Sequence, residues 1–212
     1  MEDDHPDLPG ARTDELPWPL SGADALRAEL LSAYGDPTRG HHDVRHLTEV
    51  IHRLQELAAA GARYDETPVL LAAWFHDAVY DGERDAEERS AAWAEHALPD
   101  VTDEATVAEV ARLVRLTEHH RPTPDDANGC ALSDADLAIL GAPIDRYEEY
   151  ASAVRAEYGH LPDDVFAEGR ATVLRQLTSE PQLFHTTHGR AHWEARAREN
   201  VARELEKLDV AG

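Results

Sequence analysis

Apolar residues recur at helical spacing along most of the chain, and the segments that carry them end at glycine, proline or polar capping residues. The segment 42–60 is typical, since Leu47, Val50, Leu54 and Leu57 follow one another at intervals of three or four before Gly61. No segment alternates apolar and polar residues over the length of a strand. The pattern therefore predicts an all-α fold, with helices at about 21–35, 42–60, 69–80, 85–98, 102–117, 134–140, 143–158, 162–178 and 189–208.

The first 20 residues differ from the rest, since they contain six acidic residues, four prolines and one arginine. We predict a flexible acidic tail over 1–20 and a single helical domain over 21–209. The longest unbroken apolar run, 69–75, has seven residues and is too short to cross a bilayer. The N-terminus has no basic head and no apolar stretch, so we expect a cytoplasmic protein without a membrane segment.

The charge balance limits the expected partners. Acidic residues number 43 against 20 lysines and arginines, which gives a net charge of −23. A surface this acidic repels nucleic acid polymers and anionic membranes, whereas a small phosphorylated substrate can still bind through a metal ion. The one cysteine excludes a disulfide framework and a cysteine-rich metal site, while the 13 histidines supply the commonest metal ligand.

A His-Asp doublet, His76-Asp77, follows the apolar run 69–75 and is therefore expected near the core. Burying a carboxylate without a partner is strongly unfavourable, so Asp77 needs a cation, an arginine or backbone donors. This need is met if Asp77 is a metal ligand. It is met equally if Asp77 caps a neighbouring helix beside a core histidine. The doublet alone leaves both interpretations open.

Two further histidines, His42 and His46, are four residues apart and share one face of the helix predicted at 42–60. Both imidazoles can then reach one divalent ion, although this spacing also arises by chance in a chain with 13 histidines. His41 and His52 lie off this line. We expect His41 to be solvated and His52 to lie at the surface or at the rim of the site.

Two aspartates and two histidines complete the candidate ligands. Asp134 is explained as an acidic residue in the first turn of the helix 134–140, whereas Asp136 lies close to the apolar face and needs a cation. His119 and His120 follow the helix 102–117, where the helix dipole favours histidine without any further role. Together the histidines and carboxylates form a mixed nitrogen and oxygen set, which suits Mn²⁺, Fe, Zn²⁺, Co²⁺ or Mg²⁺.

The order of a histidine, a His-Asp doublet and a distant aspartate on an all-α chain resembles the HD superfamily of metal-dependent phosphohydrolases. The chain is similar to one branch of small bacterial proteins, described only as predicted HD-superfamily metal-dependent phosphohydrolases. That similarity spans about 22–208 and includes HHDVRHL, LAAWFHDAVYD, DAEERSA, RLVRLTEHH and LSDADLAILG. Ala86 replaces the asparagine usual in this branch, a departure that concerns a hydrogen bond near the metal and not the metal ligands.

The resemblance implies an HD-domain helical bundle with a central metal site whose ligands are His46, His76, Asp77 and Asp136. It also implies hydrolysis of a small phosphate ester or nucleotide, as a phosphomonoesterase or phosphodiesterase, by a metal-activated water. Besides Asp77, the candidate catalytic groups that orient or deprotonate this water are Glu87, Asp81 and His120. Candidates for supporting a ligand, holding a second metal or contacting phosphate are His42, His119, Asp134, Arg39, Arg45, Arg121 and Arg170. For these arginines, a surface ion pair is the alternative interpretation.

Two other functions stay open from the residues alone. The same ligands can hold a metal in a non-catalytic module that binds a metal or a nucleotide. An extra histidine pair, His119-His120, would suit an HD-type di-iron oxygenase. The substrate, the metal, the number of metals and the oligomeric state are not predicted.

Overall fold

The computed structural model describes residues 15–82 and 84–211, the last two by their backbone alone. Within these ranges the chain forms ten α-helices and no β-strand, which confirms the predicted all-α class. A 3₁₀ turn, Ala138–Gly141, follows the sixth helix. The helices are α1 (Asp24–Tyr34), α2 (Val44–Ala59), α3 (Glu66–Phe75), α4 (Ala86–Ala97), α5 (Glu104–Leu116), α6 (Ala127–Leu137), α7 (Ile144–Glu157), α8 (Asp163–Leu177), α9 (Thr187–His192) and α10 (Glu194–Ala211).

Helix α3 lies at the centre of the fold. All its residues from Val69 to Phe75 are buried, and the helix contacts α2, α4, α5 and α6. Neighbours on several sides explain why α3 is apolar all round, whereas a helix at the periphery carries an apolar stripe on one face. Most of the buried hydrophobic residues form one cluster, which includes residues from Leu16 to Val201.

Helix α3 is shorter than the predicted 69–80, because it ends at Phe75, directly before the His-Asp doublet. Arg39 donates hydrogen bonds to the backbone carbonyls of Asp77 and Ala78 over 2.7 and 2.9 Å. The backbone N–H of Asp77 donates to the Tyr34 hydroxyl over 3.2 Å. These side chains satisfy backbone groups that a continuing helix would have paired, so the chain leaves α3 at the doublet.

The segment between the helices predicted at 102–117 and 134–140 is partly helical, since α6 begins at Ala127. Asp126 caps this helix by accepting a hydrogen bond from the Gly129 N–H over 2.8 Å. A glycine is needed at position 129 for close packing and not for a turn, because a Cβ there would come within 2.8 Å of a Leu116 methyl carbon. The helix predicted at 134–140 is therefore the end of a longer helix followed by the 3₁₀ turn.

The helix predicted at 189–208 is two helices, α9 and α10, which are separated at Trp193. The Trp193 ring is buried against Phe184, with the ring centroids 5.5 Å apart. The same residue lies against Gly141, where an added Cβ would come within 2.8 Å of Trp193 Cβ. Tight packing of a large ring at this junction is a tertiary feature that the local charge pattern does not indicate.

Of the predicted tail, 1–20, the first 14 residues lie outside the described part of the chain. From Glu15 onward it is packed, since Leu16 and Leu20 are buried. Trp74 donates its indole N–H to the Pro17 carbonyl over 3.0 Å, and the Trp18 ring meets the Trp74 ring edge-on at 5.2 Å. The helical domain therefore begins before residue 21, because these apolar side chains cover α3 despite the neighbouring prolines. No helix in the described part of the chain is both long enough and apolar enough to cross a membrane.

Candidate metal centre

The four predicted metal ligands, which come from the start of α2, the end of α3 and the end of α6, lie together. His46 Nε2 is 3.1 Å from His76 Nε2 and 3.1 Å from Asp136 Oδ1. Asp77 Oδ2 is 3.2 Å from His46 Nε2 and 3.1 Å from His76 Nε2. The fourth, Asp136 Oδ1, is also 3.7 Å from His76 Nε2. Among the described residues, the group formed by His46, His76 and Asp77 can hold a metal ion.

The spacing of these donor atoms fits a divalent ion. With metal–ligand bonds of about 2.1 Å, two ligands at right angles lie about 3.0 Å apart, as at adjacent corners of an octahedron. The separations of 3.1–3.2 Å among His46, His76 and Asp77 match this geometry. Imidazole and carboxylate donors without a thiolate favour Mn²⁺, Fe, Co²⁺, Zn²⁺ or Mg²⁺.

The ring of His76 is oriented by the backbone of its own helix. Its Nδ1 lies 2.8 Å from the Ala73 carbonyl oxygen, which can only accept a hydrogen bond. The proton of a neutral His76 ring therefore lies on Nδ1, and Nε2 is left with its lone pair towards Asp77 and His46. This second hydrogen bond is the usual way in which proteins orient a metal-binding histidine.

Without a metal, protons on His46 and His76 balance the negative charge of the buried carboxylates. Burial opposes the charge on His46, but hydrogen bonds to Asp136 and Asp77 outweigh it and raise the His46 pKa to about 10. Burial is likewise outweighed at His76, whose pKa is raised by the two carboxylates. Burial alone would raise the pKa values of the two carboxyl groups, but the neighbouring histidines have the larger effect. They lower the pKa of Asp136 to about 2 and that of Asp77 well below its ordinary value. A metal ion that binds here displaces histidine protons.

His42 does not share a helix face with His46, contrary to the prediction. Helix α2 begins at Val44, because the Asp43 carboxylate caps it by accepting hydrogen bonds from the N–H groups of Arg45 and His46. His42 therefore lies in the loop before α2. Its ring still lies near His46, with the centroids 5.7 Å apart.

His41, which we predicted to be solvated, is 5% exposed. Its ring centroid lies 4.5 Å from those of His46 and Tyr150. Burial, helped by the neighbouring histidines, lowers the His41 pKa well below its ordinary value, so this ring is neutral near pH 7. His41 thus packs directly behind a candidate metal ligand.

Glu157, at the end of α7, holds the loop that carries these two histidines. Its Oε1 accepts hydrogen bonds from the backbone N–H groups of Gly40, His41 and His42 over 2.8–2.9 Å. Its Oε2 pairs with His42 Nδ1 at 2.8 Å, and the His42 ring stacks on Tyr80 with the centroids 3.9 Å apart. Three consecutive N–H groups on one carboxylate fix the entry of the chain into α2.

His120 lies on the other side of Asp136. Its Nε2 is 3.6 Å from Asp136 Oδ2, whereas His46 approaches Oδ1. Its Nδ1 is 3.2 Å from Ser133 Oγ, and burial lowers the His120 pKa. The backbone of His120 is left-handed, with φ of 50°, a conformation that residues other than glycine adopt only where surrounding contacts enforce it.

A cavity of about 590 Å³ opens beside the candidate ligands. Its wall includes Asp77, Asp136 and His46 from the metal centre, together with Glu87 and His120. Three of the four predicted catalytic groups therefore face one space next to the metal centre. A volume of this size is within the range of small-molecule sites, about 300–1,000 Å³.

The other predicted residues near the cavity already have protein partners. Arg170 lies in the cavity wall, but its Nε donates to Glu204 over 2.8 Å and its Nη2 donates to the Tyr150 hydroxyl over 2.9 Å. Arg39 binds backbone carbonyls and does not line the cavity. The two arginines support the walls of the site.

Asp81, His119, Arg45 and Arg121 also lie outside the cavity wall. Asp81 accepts two hydrogen bonds of 2.7 Å from Arg89, which turns its carboxylate towards α4. His119 has a side chain that is 68% exposed, in contrast to its neighbour His120. Arg45 and Arg121 point to surface glutamates, as the ion-pair interpretation predicted. Asp81 and His119 are therefore not positioned to act at the metal centre.

Asp134 is buried in the last turn of α6 and not in a first turn as predicted. Its carboxylate accepts hydrogen bonds from the His185 N–H, the Thr186 N–H and the Thr186 hydroxyl over 2.7–2.8 Å. Burial raises the Asp134 pKa in spite of these bonds. Asp134 fixes the loop before α9, and no metal is needed to explain its burial.

The sequence did not predict the positioning roles of three residues, Tyr34, His41 and Glu157. Tyr34 lies in the helix predicted at 21–35, and nothing in that segment indicates that its hydroxyl accepts a hydrogen bond from the Asp77 N–H. Glu157 lies 115 residues from His42, and no local pattern distinguishes it from the exposed glutamates of the same helix.

Comparisons with protein-family models, with curated proteins and with solved structures found no match to this chain. The resemblance to the HD superfamily therefore stays a prediction from the motifs. What the described residues establish is an all-α fold with a buried His46–His76–Asp77 group that can hold a metal ion.

Proposed function

We propose that the protein is a metal-dependent phosphohydrolase that acts on a small phosphate ester or nucleotide. One observation carries the proposal: the donor atoms of His46, His76, Asp77 and Asp136 converge at spacings of 3.1–3.7 Å beside a cavity of about 590 Å³. The motif order that resembles the HD superfamily supports the same reaction.

The chemistry divides between the metal and the chain. A divalent ion at this site lowers the pKa of a bound water and polarises a phosphoryl oxygen. His120 offers a proton acceptor, because its lowered pKa keeps the ring neutral near pH 7. If Nδ1 donates to Ser133 Oγ at 3.2 Å, Nε2 is the free base facing the cavity. Glu87, in the same wall, is the second candidate acceptor.

Removing one ligand tests the proposal. Protein stripped of metal and reloaded with Mn²⁺ or Co²⁺ is expected to release phosphate from members of a panel of phosphomonoesters, phosphodiesters and nucleotides. Asp77→Ala is expected to lower both metal content and phosphate release by more than about 100-fold, because a ligand and a buried charge are lost together. The matched control is Asp100→Ala at an exposed position, which should leave both measurements unchanged.

Full metal content and full turnover in Asp77→Ala would overturn the ligand assignment. Bound metal without phosphate release from any ester would instead favour the non-catalytic binding module. The di-iron oxygenase is less well supported, because it relied on an extra histidine pair and the His119 side chain is 68% exposed.

A further inference from the structure

The wall of the cavity divides into a polar part at the metal centre and an apolar part formed by α8 and its neighbours. Six residues of α8 line the cavity, of which the last five follow the spacing of one helix face: Val165, Phe166, Gly169, Arg170, Val173 and Leu177. An adjacent face of α8 carries the buried residues Ala167, Ala171 and Leu174. Helix α8 therefore has two apolar faces, of which one packs in the core and the other faces the cavity.

Two of the most exposed large apolar side chains in the described part of the chain lie in this wall. Val165 is 50% exposed and Val173 is 47% exposed. Apolar groups left in water are unfavourable, and such groups inside a concave site are typical of a ligand pocket. Leu137, Leu140 and Val154 add to the same lining.

The polar atoms of the tyrosines in this wall are already paired within the protein. The Tyr80 and Tyr158 hydroxyls lie 3.1 Å apart and bind one another. The Tyr150 hydroxyl accepts from Arg170. These paired hydroxyls leave mainly ring carbon for a ligand to contact, whereas the edges of a nucleobase need free donors and acceptors.

The charge of the wall also disfavours a polyphosphate. Besides Asp77 and Asp136, the described lining residues include Asp85, Glu87 and Glu118. The arginines among them are Arg84 and Arg170, and Arg170 is neutralised by Glu204 at 2.8 Å. A single phosphate group can be held at the metal centre, whereas the additional negative charge of a di- or triphosphate is disfavoured by a wall in which acidic residues outnumber arginines.

We infer that the substrate is a phosphate monoester of an apolar alcohol, with its phosphate at the metal centre and a body of about one or two rings against the cavity-facing side of α8. This inference rests on the proposed function for the reaction, whereas the binding preference can be measured without turnover.

The test compares ligands that differ only in their body. Binding to the Mn²⁺-loaded protein is measured by calorimetry for methylphosphonate, 1-naphthylmethylphosphonate and the uncleavable methylenephosphonate analogue of AMP. We expect the naphthyl compound to bind at least tenfold more tightly than either of the others. Turnover is compared for ethyl phosphate and 2-(1-naphthyl)ethyl phosphate, whose leaving alcohols are chemically similar, and kcat/KM should show the same preference.

Gly169 offers a way to fill the pocket, because an added Cβ there would meet no atom within 4 Å. Gly169→Leu is expected to reduce the naphthyl preference at least fivefold. Thr172→Leu adds a leucine at an exposed position of α8 outside the cavity wall and should keep the preference. Thermal melts check that the variants fold, and Val173→Asp, at a half-exposed wall position, is the second variant with the same expected loss.

The outcomes separate the two proposals. Equal affinities for methylphosphonate and the naphthyl phosphonate, tighter binding of the AMP analogue, or an unchanged preference in both wall variants would overturn the apolar-alcohol inference. A clear naphthyl preference without turnover of any ester would support the pocket and contradict the hydrolase. Turnover without a preference would support the hydrolase and contradict the pocket.

Discussion

Replacing Glu157 tests whether the loop before α2 depends on this single carboxylate. Glu157→Ala removes the acceptor of three backbone N–H groups and of the His42 ring, all within 2.8–2.9 Å. Removing one partner from a buried, charged hydrogen-bonding group costs about 3–5 kcal/mol, and we expect a loss in this range. Glu157→Gln keeps one carbonyl oxygen but loses the charge, which roughly halves the strength of such bonds, so we expect a loss of about 1–2 kcal/mol.

The measurement is the free energy of unfolding from urea titrations followed by circular dichroism, with the slope unchanged between variants. The matched control is Glu148→Gln on the same helix, where the carboxylate pairs with Lys207 at the surface over 3.0 Å. Exposed pairs contribute less than about 1 kcal/mol. A loss in Glu157→Ala no larger than that of the control would refute the reasoning.

The pH dependence gives a second check with a defined sign. Burial opposes the charge on Glu157, but its hydrogen bonds with His42 and the loop outweigh it and lower the Glu157 pKa below the ordinary 4.5. A carboxyl group whose pKa is lowered on folding stabilises the protein above the unfolded-state pKa and loses this effect as the pH falls through the folded-state value. The difference in stability between wild type and Glu157→Ala should therefore shrink below pH 4.5, and a difference that is constant in acid would contradict the assignment.

Three further predictions concern the metal, the helices and the thiol. Because the His46 pKa is about 10 in the metal-free protein, the affinity for Mn²⁺ should rise with pH between about 6 and 8, by up to about tenfold per unit for each proton displaced, and titrations that show no pH dependence would contradict this. In the same urea assay, Gly129→Ala should lower the free energy of unfolding by about 1–2 kcal/mol, because the added Cβ would meet Leu116 at 2.8 Å. Gly169→Ala has open space at its Cβ and should raise the free energy of unfolding by up to about 1 kcal/mol. Burial, with nearby aspartates, raises the Cys130 pKa to about 11, so the native thiol should react with a disulfide reagent at about pH 8 at least about 100-fold more slowly than the unfolded chain.

The all-α class and the approximate positions of most helices follow from the sequence, because apolar periodicity is a local property that each segment carries by itself. The types and order of the four candidate ligands were also readable, since a carboxylate next to a long apolar run, as in Asp77, requires a compensating partner. What the pattern did not indicate is how glycines are used. Gly129 lies outside the predicted helices but inside α6, where its lack of a side chain lets Leu116 of α5 approach closely.

Tertiary structure alone decided which polar residues meet. His119 and His120 are neighbours in the chain, yet one is exposed and the other faces the cavity, because the left-handed backbone at His120 separates their directions. Asp134 and Asp136 lie two residues apart, but Asp134 binds a loop 51 residues away, whereas Asp136 lies 3.1 Å from His46 in the candidate metal centre. Local periodicity indicates which face of a segment is apolar. The partner of each buried polar group is set instead by packing between segments that are distant in the chain. The positioning roles of Glu157 and His41 were therefore visible only in the folded chain.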